Sequence, residues 1–235
     1  MTKRNLWVVS AVCIFLMGAY PVFSQNSTSP APEQGRELTI EELYLSQNIE
    51  LQIIKNQAQS NDWEVKNLAI QSLRAMAADK RINDDNPGAF LILESLAKQE
   101  QGPNTKNFNL IRKDACNILG EIGGERAQRI LLEVVMTDNE PMVLAEAVYA
   151  LGRIGKDPTG NVLNRMVWVL HKENMKAAPD NNFAFATLLS IEKLAKSDDG
   201  IKNPETLGVL IEILEANYIR DVKLKAIDVI YKLRK

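Results

Sequence analysis

At 235 residues, 46% hydrophobic and 25% charged, the chain has ordinary globular composition and ample apolar material for a core. Its 28 basic and 30 acidic side chains lack the positive excess of a polyanion binder. Sparse glycine and proline exclude a low-complexity or fibrous chain.

The N-terminus differs from the rest. Lys3 and Arg4 precede an apolar run from Leu6 to Tyr20, Pro21 breaks it, and Val22-Phe23-Ser24 leads to Gln25. This is the layout of a secretory signal peptide, with cleavage expected after Ser24 and residues 1–24 removed. A retained membrane anchor is the alternative. The run is short for a span, however, and a polar, proline-containing stretch follows at once. A lipoprotein reading fails because Val12, not a small residue, precedes Cys13 and the apolar run continues past it. The expected localisation is therefore exported, periplasmic or secreted, with no membrane span after cleavage. Removal of the leader takes away Lys3 and Arg4 and no acid, so the remainder is more acidic. It also leaves Cys116 as a single thiol, so stability must come from packing and not from a disulfide.

Residues 25–37 are polar with two prolines and read as a flexible linker. Asn26-Ser27-Thr28 is a formal glycosylation sequon, relevant only in a eukaryotic secretory route. From Thr39 onward apolar residues recur at steps of three and four, with no convincing period-2 strand. Asp157-Pro158 and Asn203-Pro204-Glu205 place a capping side chain before a proline at a helix start. Glu140-Pro141 is similar, and Asn61-Asp62, Asp180-Asn181-Asn182 and Asp221 are further cap candidates. Gly123-Gly124, Gly155 and Asp199-Gly200 read as stops.

One frame is written twice. Ile111, Ala115, Leu119-Gly120 and Ile122-Gly123 recur 32 residues later as Val143, Ala147, Leu151-Gly152 and Ile154-Gly155. Weaker copies are Val65, Ala69, Leu73, Met76; Phe183, Thr187, Ile191, Leu194; and Val222, Ala226, Ile230, Leu233. These predict second helices near 62–79, 107–122, 140–154, 181–196 and 219–234. Each follows another helical segment, at about 39–58, 87–100, 125–137, 158–173 and 204–216. The unit is a helical hairpin of about forty residues.

The pattern resembles the HEAT-repeat family, including its bacterial HEAT-like members, over about 38–235. The resemblance implies an all-α fold, a right-handed α-solenoid of about five hairpins, with second helices lining the concave side. The family favours a basic residue after the first frame residue. Lys66, Arg112 and Lys223 match, whereas Leu144 and Ala184 depart, so any ladder of charges is interrupted in the middle.

Little in the chain points to catalysis. His171, the only histidine, ends the Trp168-Val169-Leu170 run and reads as a helix-dipole contact without a paired nucleophile. Zinc spacings and the paired His-Glu motifs of iron-binding HEAT enzymes are absent, so no cofactor and no metal are expected. Asp84-Asp85 and Asp198-Asp199 read as solvated turns, not calcium loops. Cys116 shares its frame position with Ile70, Val148, Leu188 and Ile227 and reads as a core residue.

At about 100° per residue, positions two, six and nine past each frame start point away from the buried side. They predict a concave groove lined by Asn67, Gln71 and Arg74; Lys113, Asn117 and Gly120; and Ala145, Tyr149 and Gly152. Phe185, Leu189 and Glu192 follow, then Leu224, Asp228 and Tyr231. Polar residues dominate its first half and apolar or aromatic ones its second, as in interaction patches. Gly120 and Gly152 are expected to let a partner's backbone approach. Two placements fit the aromatic and apolar members, above all Phe185 and Leu189: the groove wall or a buried contact with a neighbouring repeat.

The expected function is a non-enzymatic scaffold or adaptor of the bacterial envelope that binds a protein or peptide, with the oligomeric state open. The resemblance also admits a lyase-type or other enzyme-accessory role, as in HEAT-like phycobilin lyases. Nucleic-acid binding, as in HEAT-like DNA glycosylases, is opposed by the acidic balance and the leader.

Overall fold

The computed structural model describes residues 39–83, 86–99, 108–196 and 203–234. The expected leader (1–24) and linker (25–37) lie outside them, as do Asp84-Asp85 and Asp198-Asp199-Gly200. The described residues form eleven helices and no strand, so the fold is all-α. They are α1 (Ile40–Gln47), α2 (Ile49–Gln59), α3 (Trp63–Ala78), α4 (Gly88–Ala97), α5 (Phe108–Ile122) and α6 (Gly124–Thr137). Then come α7 (Pro141–Ile154), α8 (Asn161–Asn174), α9 (Asn181–Ala195), α10 (Thr206–Glu215) and α11 (Arg220–Leu233). None is long and apolar enough to cross a membrane.

Local chemistry sets the boundaries. Asp62 caps α3 by accepting from the Glu64 and Val65 amides, and Asp180 caps α9 by accepting from Phe183. Pro141 begins α7, where its missing N–H costs nothing. Gly155 ends α7 at φ 68°, a left-handed conformation that favours glycine.

Four expectations need correction. The segment 39–58 is two helices. Thr39 and Glu42 form a capping box on α1, then the extended backbone of Asn48 breaks the chain and its side chain caps α2. Helix α8 starts three residues after Pro158, because Asp157 reaches across the turn and accepts from the Val162 and Leu163 amides. Helix α10 starts at Thr206 because Asn203 ties up the Glu205 amide in a turn. Asp221 lies inside the first turn of α11, while Asn181 supplies the acceptor for the Ile219 amide.

Contacts run along two series. One is α2, α4, α6, α8 and α10; the other is α3, α5, α7, α9 and α11, and each helix touches the next of its series. Each member of the first series also packs on the helix that follows it in the chain. Helix α1 packs on α2 and α4.

The frame residues explain the packing. Ala69, Ala115, Ala147, Thr187 and Ala226 are fully buried, and their small side chains let paired helices come close. Leu73, Leu119, Leu151 and Ile191 fill the space beside them. The one hydroxyl at the alanine position is satisfied within its own helix, since Thr187 Oγ1 donates to the Phe183 carbonyl at 2.8 Å. Phe183 itself is among the largest fully buried side chains, and its burial stabilises the fold by about 2–3 kcal/mol.

Candidate functional site

The second series carries the residues singled out by the helical wheel, and its four junctions follow one rule. The earlier helix offers frame positions five, six and nine; the later helix meets them with positions three, seven and ten. Between α3 and α5, Arg74 (position nine) lies 3.6 Å from Asp114 (position three). Between α5 and α7, Asn117 Nδ2 donates to Glu146 Oε1 at 2.8 Å, and Arg153 donates to the Asn117 carbonyl at 2.6 Å. Between α7 and α9, Ser190 Oγ donates to the Val148 carbonyl at 2.8 Å. Between α9 and α11, Glu192 accepts from Lys225 and from Lys232.

This corrects the expectation for Gly120 and Gly152. A Cβ placed on Gly120 would lie 2.6 Å from Ala150 Cβ, and one on Gly152 would lie 2.6 Å from Ser190 Cα. Both glycines are buried and serve the approach of the next helix, not of a partner. Position nine is only about 40° from the buried position five on the wheel, so a neighbouring helix on that shoulder covers a glycine there, whereas Arg74 and Tyr231 at the same position stay exposed.

The other groove candidates stay open to differing degrees. Asn67, Lys113, Asn117, Tyr149, Leu189 and Asp228 are half-buried; Gln71, Arg74, Leu224 and Tyr231 are exposed. Phe185 is 38% exposed and Tyr231 66%, so neither is a core residue. Lys113 lies 3.4 Å from Asp114, and Asp228 pairs with Lys232 at 2.7 Å.

Three of the predicted groove residues, Lys113, Ala145 and Tyr149, meet in one depression. Lys113 of α5 and Tyr149 of α7 line it together with Met142, Ala145 and Glu146 of α7 and Asn182 of α9. The Lys193 ammonium lies 4.4 Å from the centre of the Tyr149 ring and holds it by a cation–π contact. The arrangement is an aromatic ring that shares its lining with Lys113 and with three carboxylates, Glu140, Glu146 and Asp180. Met142, Glu146 and Lys193 escaped the wheel because it followed only positions two, six and nine. Asn67, Gln71 and Arg74 lie on α3, and Leu224 and Tyr231 on α11, outside this depression. A larger opening on the first series lies between α6 and α8, lined by Gln128, Arg129, Leu132, Met136 and Arg165 among others.

The remaining chemical candidates have structural partners. His171 Nδ1 is 2.9 Å from Glu212 Oε2, which links α8 to α10. Cys116 is fully buried, and burial first, then the Asp138 and Glu146 carboxylates, pushes its thiol far above the usual range. Arg112 and Asp138 are both buried and joined by two hydrogen bonds, at 2.7 and 3.3 Å, which pin α5 to the turn before α7. Lys66, also buried, donates to the Ala58 carbonyl and lies 5.1 Å from the Phe108 ring centre. Among the described residues no three His, Cys, Asp or Glu side chains gather as metal ligands.

The comparisons with known proteins add no identity: no family model matches the chain, and no curated protein does.

Proposed function

We propose that the helix pairs form a right-handed α-solenoid of five HEAT-like repeats, and that the chain is an exported, non-enzymatic scaffold or adaptor for a protein or peptide. The partner is held on the concave face made by the second helices. The observation that carries this reading is the depression between α5, α7 and α9, where Lys113, Glu146 and Tyr149 converge. Three properties support it as a binding surface. It is lined by side chains that differ from copy to copy, while the frame residues around it repeat. It offers a ring already oriented by Lys193, so little side-chain freedom is lost on binding. It also sets cationic and anionic groups beside apolar Met142 and Ala145, which suits a polypeptide better than a uniform polyanion.

The test is affinity capture from an envelope fraction, with wild type compared with Tyr149→Ala and Lys113→Glu. Truncating a central aromatic anchor should weaken retention of a specific partner by roughly tenfold or more. Equal retention by all three chains would remove this face from consideration.

A further inference from the structure

The junction rule describes faces as well as contacts, and two of those faces have no counterpart among the described residues. In α3, α5, α7 and α9 the residue at position five is buried by the next helix: Ile70 is 2% exposed, and Cys116, Val148 and Leu188 are fully buried. The equivalent residue of α11 is Ile227, just as apolar, and it is 37% exposed. Leu224 and Tyr231, at positions two and nine, extend the same stripe and are 50% and 66% exposed. This is a forward junction face with nothing on it among the described residues. At the other end, α3 presents the later-helix positions three, seven and ten as Leu68, Ser72 and Ala75. Leu68 and Ala75 are exposed and Ser72 is half-buried, whereas Ile118, Ala150, Ser190 and Val229 at position seven are all fully buried. Helix α1 packs on α2 and α4, and those three α3 residues remain accessible.

The two faces complement each other. The forward stripe of α11 is flanked by Arg220, Lys223 and Arg234, and on the wheel these cations share its side. Lys223 stands at position one, where Lys66 and Arg112 reach forward onto Phe108 and Asp138 of the next unit. The backward face of α3 is flanked by Glu64 and Asp79, with Asp62 at its start, all exposed. The small side chains Ser72 and Ala75 leave room for the ring of Tyr231. Within the chain the same positions pair small with small or charge with opposite charge, as in Gly152 with Ser190 and Glu192 with Lys225.

We propose that the forward face of α11 docks on the backward face of α3 in a second copy of this chain, continuing the internal junctions from one molecule to the next. Charge selects this mode over a two-fold one. Pairing α11 with α11 would set Arg220, Lys223 and Arg234 against their own copies, and pairing α3 with α3 would oppose Glu64 and Asp79 to themselves. A head-to-tail contact uses two different faces, so each added copy exposes a fresh pair and yields an open chain or a closed ring.

Disulfide trapping tests this in the full-length chain carrying Cys13→Ser; Cys116 is buried and does not compete. Tyr231→Cys alone and Ala75→Cys alone should form no disulfide-linked dimer on mild oxidation. Mixed together they should give a 231–75 disulfide dimer, and the double variant should give a ladder or ring. Both positions are exposed, and an unchanged helical circular dichroism spectrum verifies folding. Independently, Ile227→Asp should raise the dissociation constant for self-association by roughly tenfold or more in sedimentation velocity. Self-trapping of Tyr231→Cys, absence of any 231–75 product, or unchanged association of Ile227→Asp would each overturn the proposal.

Discussion

The α7–α9 and α9–α11 junctions occupy the same frame positions with opposite chemistry. At the first, Gly152 and Ser190 bring the helices so close that a Cβ on Gly152 would lie 2.5 Å from Ser190 Cβ. At the second, Glu192 replaces the glycine and pairs with Lys225 and Lys232, which stand where α9 has Ala186 and Lys193, while Val229 stands where α9 has Ser190. Helix α7 also makes more extensive contact with α9 than α11 does. One packing geometry is therefore reached by steric closeness at one junction and by ion pairing at the other. The difference predicts which perturbations each will tolerate: the first should resist salt and acid but not added volume, and the second the reverse.

The largest expected effect breaks the close junction. Gly152→Val forces a branched side chain into Ser190 and should destabilise by about 3 kcal/mol or more, read as a fall in the urea midpoint at unchanged slope. Gly152→Ala should cost about 1–3 kcal/mol. Ser190→Gly in the same chain should return part of that loss, because it removes one of the two clashing groups; strict additivity of the two substitutions would contradict a direct clash. Glu192→Gln comes next, at about 1–2 kcal/mol, since Lys196 and Lys232 are well exposed and solvent screens their share. High salt should shrink that difference and leave the Gly152→Ala effect unchanged.

Acid sharpens the same contrast. The Lys196 ammonium, followed by Lys225 and Lys232, holds the Glu192 carboxyl well below the usual carboxylate range. A carboxylate with a lowered folded-state pKa stabilises the fold above its unfolded value, near about 4.5, and that contribution is lost as pH falls through the folded value. The stability gap between wild type and Glu192→Gln should thus be constant at neutral and mildly acid pH and narrow only below that point. The smallest expected change is for Tyr149→Ala, which should alter stability by roughly 0.5–1 kcal/mol through loss of the Lys193 contact while affecting partner retention most.

Much of this architecture was legible in the chain. Spacings of three and four, with Asp62, Asp180 and Pro141 as start signals, placed the second helices within a residue or two of α3, α5, α7, α9 and α11. Side chains that reach beyond their own turn were less legible. Asp157 caps from four residues before α8, and Asn48 divides what periodicity alone joins. The candidate site was half legible for a similar reason. A wheel drawn for one helix separates buried from open faces but contains no neighbours, so Gly120 and Gly152 read as groove although the next helix covers them. A cue was present in Gly120 and Gly152: glycine inside a helix costs about 1 kcal/mol relative to alanine, and close backbone approach by an adjacent helix is what offsets that cost. Lys113 and Tyr149, at positions two and six, are half-buried.

The central claim is that frame position two of α7 faces a polypeptide partner while the first series of helices does not. In-cell photocrosslinking tests it most directly, with benzoylphenylalanine placed either at position 145, inside the depression, or at position 168, exposed on α8. The account predicts a discrete protein adduct from position 145 and none from position 168. Adducts from position 168 alone would contradict it.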